Sequence, residues 1–230
     1  MRKKILLLIT VLLIGGLTFA GCTFEAKPKQ AAIDFKNEYE QVNGKEAKQG
    51  VQWRSLNIAE DNPYVKVTDD DIAKKIQDGE TFYLYVGDHL CPWCRSGIEK
   101  MIEVAKKNKV DTIYYIDFWD NSHVETLRDT YDVEVVKGKP VFTKTREMNP
   151  GYKVLYDAVY DFIQDYTVTK DGTDYNVGVK KVYGGDHFYF ENGKCKKYTS
   201  LRVSKLAGAF DELTEEVLQQ QEEEFNKFFN

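Results

Sequence analysis

The sequence predicts an α/β fold, a central mixed sheet flanked by helices. Three observations carry that expectation. Residues 81–86 (Thr-Phe-Tyr-Leu-Tyr-Val) form an unbroken β-type run, the pattern of a strand buried on both faces. An apolar stripe at helical spacing follows, and then a second β-type run over 112–118. Near the end, Asn192-Gly193 lies between runs at 187–190 and 195–199, and Asn-Gly in that setting is a strong hairpin signal.

In chain order, residues 51–58 alternate weakly and suit an edge strand. Asp69, Asp70 and Asp71 open a helix that Gly79 closes, because acidic groups favour a helix start and Gly the residue past its end. After Cys91, the residues Ile98, Met101, Ile102 and Ala105 fall at i, i+3, i+4 and i+7, so one face is apolar. Strand, helix and strand with a short link imply a parallel pair joined by a right-handed crossover. Residues 122–131 and 152–166 read as further helices, the second with Val154, Leu155, Ala158, Val159 and Phe162 along one side, and Lys170-Asp171-Gly172 as a turn. The stretch of about 131–182 therefore reads as a helical insertion before the closing hairpin. From Ser204 a long helix is expected, with Leu206, Phe210, Leu213 and Val217 as its stripe.

With 230 residues, 42% hydrophobic and 30% charged, the chain has ordinary globular composition and room for one domain with a large insertion. A net charge of -5 argues against nucleic acid as a partner, since replacing counterions on phosphates needs Lys and Arg. Residues 1–21 read as a signal segment: Arg2, Lys3 and Lys4, then an apolar run too short for a comfortable membrane span. Phe19-Ala20-Gly21-Cys22 resembles the lipobox of bacterial lipoproteins, which implies acylation of Cys22 and a membrane-anchored, extracytoplasmic domain. Residues 22–50, rich in Lys, Glu, Gln, Ala and Asn, read as a tether with a short helix over 33–42. The folded body is then 51–230.

Four cysteines are too few for a disulfide scaffold, so a local site is the better reading. Cys91-Pro92-Trp93-Cys94 lies between the first buried strand and its helix. Cys91 at the helix start would have its thiolate stabilised by free backbone N–H groups and the helix dipole. Pro92 suits the first helical position, where its missing N–H is not needed. Cys94 lies nearly one turn on, within reach of a disulfide with Cys91. One thiolate attacks a substrate disulfide, and the second thiol resolves the mixed disulfide.

On these residues the chain resembles the thioredoxin family. Residues 82–118 resemble its first strand–helix–strand unit, and His187-Phe-Tyr-Phe-Glu-Asn-Gly193 with the following helix resembles its close. A helical insert at this place is similar to bacteriocin transport accessory proteins, and more generally to extracytoplasmic thiol–disulfide oxidoreductases. The resemblance implies no organic cofactor, protein thiols or disulfides as partners, and Cys91 and Cys94 as the redox centre, with Pro92 and Trp93 supporting. The family carries a cis-Pro before the hairpin strand, and counting back from Asn192-Gly193 puts Gly185 there. Thioredoxin has a buried Asp beneath its cysteines, and counting back from Cys91 puts Tyr85 there.

Two other readings compete. Cys91 and Cys94 have zinc-type spacing, and Asp186 and His187 could complete a metal site. A thioredoxin-like module without turnover could instead hold a partner such as an exported peptide. His89 could favour a Cys91 thiolate by its charge. His123 reads as a surface residue and Cys195 as a small strand residue.

Overall fold

The computed structural model describes residues 29–119 and 125–230. The signal segment 1–21, the lipidation site Cys22, the first tether residues and His123 lie outside the described residues.

The elements run α1 (Gln30–Glu40), β1 (Glu46–Lys48), β2 (Val51–Gln52), β3 (Tyr64–Lys66), α2 (Asp69–Gln77), β4 (Phe82–Gly87), α3 (Pro92–Lys107) and β5 (Ile113–Asp117). They continue with β6 (Thr130–Val136), β7 (Lys139–Arg146), α4 (Pro150–Val159), β8 (Gln164–Lys170), β9 (Thr173–Lys181), β10 (Asp186–Glu191), β11 (Lys194–Ser200) and α5 (Glu215–Phe229). The protein is mixed α/β, with a central five-stranded sheet in the order β11-β10-β4-β5-β3. β4 runs parallel to β5, and β5 parallel to β3, whereas β10 is antiparallel to both β4 and β11.

The alternation of β4 explains why the sheet is covered twice. Tyr85 belongs to a core shared with α1, α3 and α5, while Phe82, Leu84 and Val86 belong to a second core with α2 and α4. A strand buried on both faces needs apolar residues at nearly every position, which 81–86 provides. α2 starts where the acidic run implied. Thr68 Oγ1 accepts from Asp71 N at 3.1 Å, and Asp71 accepts from Thr68 N at 3.0 Å, a reciprocal cap. In α3, Gly97 lets β11's end approach closely: a Cβ there would lie 3.0 Å from Leu201 Cβ.

Several expectations are corrected. The tether is not free of the body. Ala32, Phe35 and Tyr39 on α1 are buried, and Phe35 stacks on Tyr64 with centroids 4.4 Å apart. Three apolar groups at helical spacing suffice to dock a helix whose average composition is polar. The edge strand expected over 51–58 is only β2, which pairs with β1 and not with the central sheet.

The insertion is not mainly helical. It is two hairpins, β6–β7 and β8–β9, with α4 between them. Residues 125–131 of the expected helix over 122–131 are not helical, and β8 begins inside the one expected over 152–166. Both hairpins turn through pairs with positive φ, Lys137-Gly138 (51° and 77°) and Asp171-Gly172 (52° and 75°), the backbone that matches strand twist. The closing helix starts at Glu215 rather than 204, capped by Thr214. Leu201, Val203 and Leu206 reach the core from irregular chain, and Gly208 weakens any helix through this stretch. Phe225 and Phe228 dock fully.

Candidate redox site

β4 delivers the chain to the site and α3 carries it away. Between them Asp88 makes a tight turn: its side chain accepts from Leu90 N at 3.0 Å and its carbonyl from Cys91 N at 3.2 Å. Cys91 then caps α3 in an extended conformation (φ -81°, ψ 113°), with Pro92 in the first turn. Its sulfur accepts the Cys94 N–H at 3.2 Å, taking one of the donors that a helix start leaves unpaired. Cys91 is partly exposed, Cys94 is fully buried, and the two are unbridged.

The two thiols differ in acidity. The Cys91 thiol is held below its usual value, chiefly by a hydrogen bond from the Cys94 side chain and then by the Cys94 and Trp93 N–H groups, against burial and the Asp88 charge. The Cys94 thiol is raised well above its usual value, first by burial and then by donating to Cys91. One partly exposed, more acidic sulfur beside one buried, weakly acidic sulfur is an arrangement that can divide attack from resolution in thiol–disulfide exchange.

Opposite the pair lies the loop entering β10. Gly184 faces the sulfurs directly: a Cβ there would lie 3.0 Å from Cys91 Sγ and 3.2 Å from Cys94 Sγ. Gly185, where the count put the family's proline, is one residue on, faces Leu201, and has φ +106°. That φ is closed to Pro, and the Gly185 N–H donates to Val86 O at 3.0 Å, so proline would also remove a bond. The Gly185 carbonyl accepts from Leu201 N and from His187 Nδ1, each at 3.0 Å. His187 must therefore carry its proton on Nδ1, which leaves Nε2 to accept from the Tyr64 hydroxyl at 2.9 Å. Burial drives its pKa down to about 3, so it stays neutral. Asp186 accepts from Tyr183 N at 2.9 Å and from the Tyr198 hydroxyl at 3.0 Å. Both side chains of the rival zinc reading are thus engaged in holding this loop.

Sequence reasoning missed two features. Arg95, 1% exposed, follows Cys94 and donates to Tyr39 O at 2.6 Å, Arg54 O at 2.9 Å, His89 O at 3.2 Å and Asn43 Oδ1 at 2.9 Å. It ties α1 and the loop after β2 to the start of α3. Three of its partners are backbone carbonyls and the fourth a side-chain amide, and all but His89 are distant in sequence, so the chain carries no local signal for them. The second is the rest of the floor under Cys94: Tyr39 and Tyr64 join Tyr85, which the count back from Cys91 puts there, and all three are fully buried.

The remaining candidates have partners of their own. The Trp93 ring is covered by the Arg202 guanidinium at 4.5 Å. Cys195 sits in β11, and burial pushes its thiol up to about 12, as suits a packed strand residue. His89 lies with Nδ1 3.1 Å from the Asp88 carboxylate. Glu38, His89 and Asp117 offer three possible metal-ligand atoms within 4.8 Å of one another. The Lys66 ammonium already sits there, 2.9 Å from Glu38 and 3.1 Å from Asp117. Among the described residues, no helix is long and apolar enough to cross a membrane.

A scan of protein families finds no match to the chain, and a search of the curated proteins finds none either.

Proposed function

We propose that this protein is a thioredoxin-like thiol–disulfide oxidoreductase that acts on protein thiols or disulfides outside the cytoplasm, held at the membrane by a lipid on Cys22. The observation that carries the reading is the asymmetric pair: Cys91 partly exposed at the start of α3, and Cys94 buried one turn on. The Cys91 thiolate attacks a substrate disulfide and one substrate sulfur leaves as thiolate. Cys94 then attacks Cys91, and the second substrate sulfur leaves. Gly184 gives the incoming disulfide room, because no side chain on that loop residue stands over the sulfurs.

Reduction of insulin by the purified protein with dithiothreitol, followed by turbidity, tests the activity. Precipitation well ahead of the dithiothreitol control is expected. No acceleration would favour the second reading, a module that holds an exported peptide without turnover.

The anchor has its own test. Cys22→Ala is expected to release the protein from the membrane fraction or to block its processing. Unchanged retention and processing would remove the lipid from the account.

A further inference from the structure

The floor beneath Cys94 contains hydroxyls where a proton-accepting carboxylate would be expected to help. Tyr85 projects from β4 into the core that Cys94 and Tyr39 share, where its hydroxyl acts to lower the pKa of the Cys94 thiol against burial. The same hydroxyl lies 2.7 Å from that of Tyr39, which comes from α1. Tyr85 has little freedom. Its ring stacks between Tyr115 (5.2 Å, 22°) and the neutral His187 (4.5 Å, 23°). Its hydroxyl fills the space over Gly87, where a Cβ would lie 2.1 Å away, so Gly87 is needed for this placement.

Each hydroxyl has one hydrogen to give. When Cys94 is a thiolate, only one arrangement satisfies all three atoms: Tyr39 O–H donates to Tyr85 oxygen, and Tyr85 O–H donates to the sulfur. Such a chain polarises in one direction and strengthens its last bond. Burial holds the pKa of both phenols well above the usual value, so they remain protonated donors and never serve as bases.

Resting on the thiol–disulfide reading above, we propose that the Tyr39–Tyr85 hydroxyl chain stabilises the Cys94 thiolate in the step that resolves the mixed disulfide. In the free pair, the Cys94 S–H donates to the Cys91 thiolate. Once Cys91 is bonded to substrate sulfur, that acceptor is gone. The Cys94 proton then passes to the departed substrate thiolate or to water. The Cys94 thiolate attacks Cys91 Sγ, the Cys91–substrate S–S bond breaks, and its electron pair leaves on the substrate sulfur, which takes up a proton. The pair loses two electrons and two protons, and the substrate disulfide gains them. The only negative charge to develop in the buried floor is on Cys94, and the Tyr85 hydroxyl meets it there. The segment read from composition as a tether thus supplies, through Tyr39, part of the redox site.

The test loads Cys91 with 5-thio-2-nitrobenzoate and follows release of the yellow thiolate as Cys94 attacks, as a function of pH. In Tyr85→Phe, release near neutral pH is expected to slow about tenfold, with the pH midpoint raised by about one unit, the loss of one hydrogen bond to a charged group. Tyr39→Phe, which leaves Tyr85 in place, should shift the midpoint in the same direction by less. Alkylation of Cys91 in the reduced protein should be unchanged in both, which separates this effect from general damage to the site. An unchanged pH profile in folded Tyr85→Phe, or in Tyr39→Phe if the first does not fold, overturns the proposal. A wild-type adduct that never releases thiolate overturns the thiol–disulfide reading itself.

Discussion

Cys91→Ser is expected to bring insulin reduction down to the uncatalysed rate, and Cys94→Ser to stop turnover at a different point. The two losses differ because the two sulfurs do. Without Cys91 no accessible thiolate remains among the described residues: Cys94 is fully buried with its thiol pKa well above the usual value, and Cys195 is raised to about 12 within a strand. Without Cys94 the first attack proceeds and nothing resolves it, so mixed disulfides with partner proteins accumulate. The same asymmetry sets a pH dependence. The Cys91 thiol is held below its usual value, so lowering pH into the mildly acidic range removes the Cys94 thiolate long before the Cys91 thiolate. Iodoacetamide at such a pH should label Cys91 first, read by peptide mass. First labelling of Cys94 would reverse the roles, and an active Cys91→Ser protein would remove them.

Arg95→Leu is expected to destabilise the fold by about 2–5 kcal/mol, since buried acceptors lose their donor at about 1–3 kcal/mol each. Leucine fills much of the volume but leaves the carbonyls of Tyr39, Arg54 and His89 without this donor and takes one of two donors from Asn43 Oδ1, which keeps Leu56 N. Two of those partners, Tyr39 and Asn43, lie in α1 or the chain just after it, so the loss should also loosen α1 from the body and with it Tyr39. Urea unfolding checks this: the midpoint should fall sharply with little change in slope. Arg95→Lys should lie closer to Leu than to Arg, because one ammonium cannot span carbonyls arranged around a planar fork. A loss below about 1 kcal/mol for Arg95→Leu would mean the network is incidental.

The centre of the fold was legible because its signals are local and mutually consistent. β4 reads as continuous apolar chain because both faces are covered. α3 announces itself by Cys91, Pro92 and the stripe Ile98, Met101, Ile102, Ala105. Asn192-Gly193, with φ of 51° and 70°, turns the closing hairpin as its sequence implies. The insertion was misread because its hairpins are mostly exposed: Val135, Val136 and Val141 are about half exposed, so burial never imposed a clean alternation. A short helix over 33–42 was legible, but its docking as α1 was hidden by averaging, since Ala32, Phe35 and Tyr39 are few among polar neighbours. Which member of the Gly184-Gly185 doublet meets the cysteines depends on one backbone angle, and a doublet of glycines does not encode it. Arg95 and Tyr39 join the site through partners remote in sequence, where no spacing rule reaches.

The most direct test of the central claim is a redox titration of the purified protein against glutathione buffers, with acid quenching and peptide mass analysis. The expected result is one reversible transition that fits a two-electron couple, whose oxidised product is a disulfide between Cys91 and Cys94 with Cys195 still a thiol. Absence of that disulfide in every buffer, or stoichiometric zinc that keeps both sulfurs from reacting, would contradict the account.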